Sequence, residues 1–316
     1  MHQFSIITPT FNRAKYLPRV YDSLCQQNNV DFEWIIVDDG STDATKEVVD
    51  NFNNTFEIKY FYQENKGKPS AVNAGIQMAD SYISNYFDSD DIFCSNIFET
   101  IWNIFDIKTG KFKYNCVCVT GLCQYDTGEI IGKKFPHDYY VSDPIRYLDN
   151  KNFKFDTCDF FLTDIFKKYP YPIFENEKNV SPSIVWNRIA LKHKTIFVNQ
   201  IFAEKQFLPG GLSTQNYDLM YPLGAELFHN EASIPPFSFR LQIKHSGRYI
   251  FFAKMNKKKQ IYYNAKNRII FPLGLFYYYW RRIKSFLKKN PFIMKIGKSI
   301  QKKKTKKMYI KKFKTE

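Results

Sequence analysis

Residues 82–91 read Tyr82-Ile83-Ser84-Asn85-Tyr86-Phe87-Asp88-Ser89-Asp90-Asp91. The first six form a strand-like run, and it ends in three carboxylates within four residues. Anions this close repel one another unless a cation sits among them. A hard divalent ion with oxygen ligands meets that need, and Mg²⁺ or Mn²⁺ keeps coordination positions open for substrate phosphates. The competing reading is a solvated acidic loop with an Asp capping the next helix. The strand that feeds the cluster weighs against it.

Upstream, strand and helix signals alternate. Phe4-Ser5-Ile6-Ile7-Thr8 reads as a strand, and apolar residues at helical spacing fill 16–27. Trp34-Ile35-Ile36-Val37 is the near-continuous run of a buried parallel strand. Asp43 suits an N-cap for the helical pattern that follows. Residues 58–62 form a third strand, and Gly67 and Pro69 open a helix carrying Ala71, Val72, Ala74 and Ile76. This alternation predicts a doubly wound parallel sheet, whose ligands bind at the carboxyl ends of the strands. That rule gathers Asp38, Asp39, Asp88, Asp90 and Asp91 on one rim.

Two loops add to the rim. In Val37-Asp38-Asp39-Gly40-Ser41-Thr42-Asp43 a carboxylate at a strand end can accept hydrogen bonds from a base edge or a ribose hydroxyl. Alone, an Asp-Gly turn explains it as well. In Lys66-Gly67-Lys68-Pro69-Ser70 two lysines flank a glycine ahead of a helix N-terminus, an anion site without the spacing of a Walker loop. A solvated basic turn is the plainer alternative.

Taken in order, the chain runs strand, Pro9-Thr10-Phe11-Asn12-Arg13; strand, 37–43; then Asn65-Lys66-Gly67-Lys68-Pro69-Ser70-Ala71-Val72-Asn73-Ala74-Gly75-Ile76; then Asp88-Ser89-Asp90-Asp91. This closely resembles the family 2 glycosyltransferases over residues 3–110. The resemblance implies the α/β GT-A fold, a Rossmann-like, mostly parallel sheet flanked by helices. It also implies inverting transfer from a nucleotide-diphosphate sugar, probed first with UDP, aided by Mn²⁺ or Mg²⁺. Carried over by motif, Thr8, Pro9 and Asn12 line the nucleotide pocket with Asp38. Asp39 holds the base, Lys66 stands near base or phosphates, and Asp88 and Asp90 bind the metal, with Asp91 as a further or alternative ligand.

Residues 156–214 resemble, more weakly, the acceptor half of bacterial surface-polysaccharide enzymes. Inversion needs a carboxylate to take the acceptor hydroxyl's proton. Where that subgroup carries Glu, this chain has Pro182; where it carries Asp before Gly-Leu-Ser, this chain has Gly210. Glu177 is then the first candidate base, followed by Glu175 and Asp159. The resemblance leaves a saccharide or lipid-linked saccharide as acceptor.

After residue 115 the pattern turns mixed. Residues 117–123 and 129–133 read as strands, 142–148 as helix, 155–162 as strand and 183–191 as helix. Pro235-Pro236 marks a boundary. The expected units are 1–115 for the nucleotide-sugar half, 116–235 for the acceptor half, and 236–316 for a basic, aromatic helical extension. The net charge of +15 belongs to this last part: residues 240–316 carry 24 Lys and Arg against Glu316 alone. Aromatic residues at 271–280 followed by cations at helical spacing predict a helix lying on an anionic membrane surface, in preference to a solvated tail or a nucleic-acid patch. No signal sequence or run of roughly 20 apolar residues is evident. With six scattered cysteines expected as reduced thiols, this predicts a cytoplasmic protein peripheral on the inner face of the membrane. Two further functions fit parts of the pattern. A nucleotidyltransferase would need a Gly-rich phosphate loop after the first strand, where residues 9–13 stand instead. A sugar-nucleotide-binding scaffold would fit the missing acceptor-side carboxylates.

Overall fold

The computed structural model describes residues 1–53, 55–145, 156–206 and 217–289. The apolar runs of the first third become β1 (His2–Thr10), β2 (Phe32–Asp38), β3 (Glu57–Tyr62) and β4 (Ser81–Tyr86). They lie in the order β3-β2-β1-β4, every pair parallel. Their connections carry α1 (Leu17–Cys25), α2 (Thr45–Asp50) and α3 (Lys68–Met78). β2 is buried at every position, as its unbroken apolar run demands.

The two faces of β1 meet different layers, because side chains alternate along a strand. Phe4 stacks on Phe98 at 5.0 Å, and Trp34 of β2 joins Tyr21 and Phe52 in the same aromatic layer. Ile7 faces α3. There Gly75 lets the helix sit directly on the sheet, since a Cβ would fall 2.3 Å from Ile7 Cγ2.

The sheet then continues through β5 (Ile92–Phe93), α4 (Ile97–Trp102), a hairpin of β6 (Phe105–Asp106) and β7 (Lys111–Phe112), β8 (Cys118–Tyr125), β9 (Tyr140–Ser142), β10 (Thr157–Leu162), α5 (Thr163–Lys167), α6 (Ser183–Ala190) and β11 (Thr195–Lys205). The nine-stranded order is β3-β2-β1-β4-β10-β8-β11-β5, with β9 also on β11. β10 runs antiparallel to β4 and β8, while β11 is parallel to β8. The start of β10 therefore meets the ends of β4, β8 and β11 at one rim.

Some local expectations fail for identifiable reasons. Residues 129–133 make only a bridge from Gln124 to Ile130, because Gly128 and Gly132 adopt φ of +81° and +107°. Residues 140–142 pair antiparallel with β11, so the helix expected from 142 begins only at residue 144, and its part beyond residue 145 lies outside the described residues. Asp43 precedes the helix by one residue too many for a cap. One of its oxygens accepts from Thr45 N at 3.1 Å and the other from Ala14 N at 3.1 Å, fastening two loops together.

The chain ends in α7 (Tyr217–Met220), α8 (Pro222–Glu231), α9 (Phe239–Met255), α10 (Ile261–Asn264) and α11 (Phe271–Lys289). α9 packs on both α8 and α11. It crosses α11 at Gly247 and Gly274, where a Cβ on Gly247 would lie 2.9 Å from the Gly274 carbonyl oxygen. Across residues 235–236, His229 and His245 meet Nδ1 to Nδ1 at 2.8 Å. Among the described residues no helix is long and apolar enough to cross a membrane. All six cysteines are free, and Cys116, Cys118 and Cys123 are buried on the sheet.

Candidate active site

The acidic loop is held by its flanks. Phe87 donates its N–H to Ile7 O at 2.8 Å and stacks on Phe93 with ring centroids 3.6 Å apart. Between these anchors each carboxylate meets a different environment. Asp88 Oδ1 receives Lys68 Nζ at 2.5 Å, from the first turn of α3. Burial alone would raise the Asp88 carboxyl, but the charges of Lys68 and Lys205 outweigh it and hold the group below its usual range. Asp91 is buried and ion-paired with Lys205, the last residue of β11. Its burial outweighs that ammonium, and the carboxyl is pushed up to about 7. Asp90 has no ion-pair partner among the described residues, and burial and Asp88 raise it.

The three carboxylates therefore do not form a cage. Among the described residues, the group whose ligand atoms lie within 4.8 Å of one another is His2, Glu33 and Glu57, at the opposite end of β1. There Lys59 already fills the space, 2.6 Å from Glu33 Oε2. At the rim, Asp88 and Asp90 offer oxygen donors on an open loop. That donor set suits Mg²⁺ or Mn²⁺, which accept one or two carboxylates and complete their shell with water and phosphate. Asp91, turned to Lys205, is the least available of the three.

The residues expected on the nucleotide side form a knot of loops. Asp39 is buried and accepts Lys66 N and Gly67 N at 2.8 Å each and Gln63 Nε2 at 2.7 Å. Asp38 accepts Ser41 N at 2.7 Å and the Tyr60 hydroxyl at 2.6 Å. Asn12, with φ of +53°, accepts Thr42 N at 2.8 Å through its side chain. Pro9 is buried beside Val37 near the strand ends. Thr8 departs from expectation. It is fully buried inside the sheet and its hydroxyl accepts Trp34 Nε1 at 2.8 Å, so it serves packing and not a pocket wall. Lys66 meets Asp39 through its backbone, and Lys68, two residues on, carries the ammonium to the acidic rim.

Beside Asp88 opens a cleft of about 200 Å³ lined by Lys68, Asp159, Asn179, Pro182, Trp186 and Tyr217 among others. Asp159 enters from β10. Thr120 donates to its Oδ1 at 2.5 Å and Thr157 to its Oδ2 at 3.0 Å, yet burial prevails and raises the carboxyl to about 6. Pro182, at the position of the subgroup's Glu, lines the same cleft. Among the described residues, three buried polar atoms on cleft residues lack a partner: Asn85 Oδ1, Trp186 Nε1 and the Tyr217 hydroxyl. Buried polar groups without partners on the residues around a polar cleft are groups that a hydroxyl-rich ligand could complete.

Glu177 does not reach this cleft. Its oxygens accept Leu223 N at 2.5 Å and Gly224 N at 2.8 Å, the free donors at the start of α8. Its position between loop and helix is that of a structural cap. Glu175 is exposed on the loop outside. Gly210 lies outside the described residues. The sequence reading missed Lys205 and Asp156, a further acid on the cleft wall. Lys205 carried one signal: it closes a run rich in Ile, Phe and Val that forms the long strand β11.

The glycosyl transferase family 2 model matches residues 5–169. GlyG, a glycosyltransferase of Streptococcus pneumoniae serotype 4, is 26% identical over 230 residues, 69% of this chain and 75% of that one. An uncharacterized glycosyltransferase of Nostoc sp. is 33% identical over 105 residues, so the match spans 33% of each chain. Among solved structures, S. aureus TarS residues 1–349 in complex with UDP has a TM-score of 0.55 at 17% identity, covering 79% of this chain and 70% of that chain. The complex with UDP-GlcNAc gives 0.56 at 17%, covering 84% and 76%. These structures share the fold.

Proposed function

The chain belongs to glycosyl transferase family 2, and from that premise we propose an inverting, divalent-metal-dependent transfer of a sugar from a nucleotide diphosphate to a saccharide or lipid-linked acceptor in surface polysaccharide assembly. UDP is the nucleotide to test first, being the one held by TarS in its complex. One observation carries the reading: the Asp88 rim, flanked by Lys68 and Lys205, opens into a cleft that Asp159 of the neighbouring strand also lines.

Asp39 and Asp38, with the loop of Asn12, form the nucleotide end. Mn²⁺ or Mg²⁺, held by Asp88 and Asp90, would offset the charge that develops on the departing diphosphate. Lys68 and Lys205 add fixed positive charge at the same place. On the adjoining strand, Asp159 is our candidate base in place of Glu177. It takes the proton of the acceptor hydroxyl as that oxygen bonds the anomeric carbon and the bond to the diphosphate breaks. Asn85, Trp186 and Tyr217 orient the acceptor through their unpaired polar atoms.

The helical end supports docking on an anionic membrane surface. Ile269, Phe276 and Ile283 are 89%, 72% and 59% exposed, and they stand among Arg268, Arg281, Arg282 and Lys284. Exposed apolar residues interleaved with cations match the interfacial amphipathic pattern.

Thermal shift with UDP-, GDP- and dTDP-sugars, with and without Mn²⁺, tests the donor reading. A donor at about 100 times its Kd should add roughly 2.7 kcal/mol of stability. Release of nucleotide separates an enzyme from a scaffold. If Asp88→Ala leaves metal-dependent donor binding and turnover intact, the account is wrong.

A further inference from the structure

A second cavity, of about 640 Å³, lies between α9 and α11, lined by Tyr217, Lys244, Arg248, Tyr277, Arg281 and Arg282 among others. Tyr217 lines both this cavity and the catalytic cleft, so the two are neighbours. The close helix crossing at Gly247 and Gly274 brings the cations of two helices over one hollow. Arg248 is paired with Asp218. Lys244, Arg281 and Arg282 have no carboxylate partner among the described residues. Lys244 is exposed at the mouth of the hollow, and partial desolvation together with Arg248, Arg240 and Arg281 holds its ammonium below the usual range. Like charges gathered this way call for an anion. Lys244, Tyr277 and Arg281 also line a neighbouring groove with Arg240 at its edge and with Phe239, Leu273, Phe276 and Trp280. The last four are 60%, 43%, 72% and 44% exposed. A cationic hollow thus continues into an open apolar channel.

We propose that this hollow seats the phosphate of a long-chain, phosphate-linked acceptor, whose hydrocarbon follows the apolar channel and whose saccharide enters the cleft past Tyr217. The proposal deepens the reading given above and rests on it for the role of acceptor. Charge complementarity fixes the headgroup: planar guanidinium groups of Arg281 and Arg282 suit phosphate oxygens. The channel fixes the tail, because a free phosphate makes no use of exposed Phe276 and Trp280.

Calorimetry on the full chain, with farnesyl phosphate, inorganic phosphate and farnesol at submicellar concentration, tests it. Farnesyl phosphate should bind at least tenfold more tightly than either fragment. Lys244→Ala/Arg281→Ala should weaken it at least tenfold, and Lys244→Arg/Arg281→Lys should recover most of the loss. UDP-sugar binding with Mn²⁺, measured on the same proteins, should not change, and loss of that binding in the unmodified chain would indict the donor reading instead. Equal affinity for inorganic phosphate would make the hollow a plain anion site and overturn the proposal. So would variants that lose only adhesion to phosphatidylglycerol vesicles while binding farnesyl phosphate normally.

Discussion

Lys68 Nζ lies 2.5 Å from Asp88 Oδ1, so a protein cation touches the carboxylate best placed to hold a metal. The pair has opposite consequences for two ligands. A divalent ion arriving alone must compete with the ammonium for Asp88. A nucleotide diphosphate gains from it, because a charge-assisted hydrogen bond is worth about 1.5–3 kcal/mol. Lys68→Met is therefore expected to tighten binding of Mn²⁺ alone, and to weaken UDP binding in saturating Mn²⁺ by roughly 10- to 100-fold. Calorimetry with and without nucleotide reads both effects. Unchanged UDP affinity would show that Lys68 serves the loop and not the phosphates.

Asp159 titrates within the working range. Burial lifts its carboxyl to about 6, against an ordinary value near 3.9. As base it must be ionised, so kcat/KM should rise with pH through about 6. Asp159→Asn should lower kcat by roughly 10²–10⁴-fold and abolish that limb of the profile. Stability should move the other way. A carboxyl whose folded pKa is raised stabilises most below its unfolded pKa, and that contribution is lost as pH rises through about 6. At pH 8 the neutral amide should make the ligand-free fold more stable by roughly 1–2 kcal/mol. This is less than the full linkage value, since water reaches the cleft and one acceptor becomes a donor. Denaturation at pH 5 and pH 8 checks the sign, and a destabilised variant at pH 8 would refute it.

The rim was legible because local chemistry writes it. Asp38, Asp39, Asp88 and the loop of residues 65–68 each follow a strand whose period is plain in the residues, and parallel pairing brings those strand ends together. The cleft lining around Asp159 was not legible in the same way. Asp159 owes its place to β10 running antiparallel beside β4, and Lys205 to the far end of β11. Neither neighbour is close in sequence. Glu177 misled for a related reason: a lone acid in a loop looks free until the helix it caps, 46 residues on, is placed against it. Thr8 misled because strand burial, and not its motif, decides what its hydroxyl touches.

That cap can be tested apart from catalysis. Glu177 satisfies two donors of α8 whose first helical residue, Pro222, has no N–H to offer. Glu177→Ala should cost about 1–3 kcal/mol of stability through the orphaned N–H groups and the lost negative charge at a helix start. Glu177→Gln keeps an acceptor and should transfer sugar within about threefold of the unmodified rate. A loss beyond 100-fold in a well-folded Gln variant would return the base role to Glu177.

Gly67 packs the 65–68 loop against Lys178, and its substitution should bring backbone strain and crowding together. Its φ is +93°, its N–H donates to Asp39 at 2.8 Å, and a Cβ would fall 2.5 Å from the Lys178 carbonyl oxygen. That carbonyl in turn accepts Lys68 N at 3.0 Å, while Lys178 Nζ reaches Asn65 O at 2.5 Å. Ala here meets the backbone of Lys178. Gly128 has φ of +81° with nothing within 4 Å of the Cβ position. Gly128→Ala should therefore cost about 1 kcal/mol from the left-handed backbone alone. Gly67→Ala adds the clash and should cost at least about 3 kcal/mol. Because relief requires the 65–68 loop to move, Lys68 and the Asp39 contacts move with it. UDP binding should fall in Gly67→Ala even at temperatures where it stays folded, and remain unchanged in Gly128→Ala. Equal melting temperatures for the two variants would mean that residues 174–180 yield freely, and that the loop is not fixed by the acceptor half.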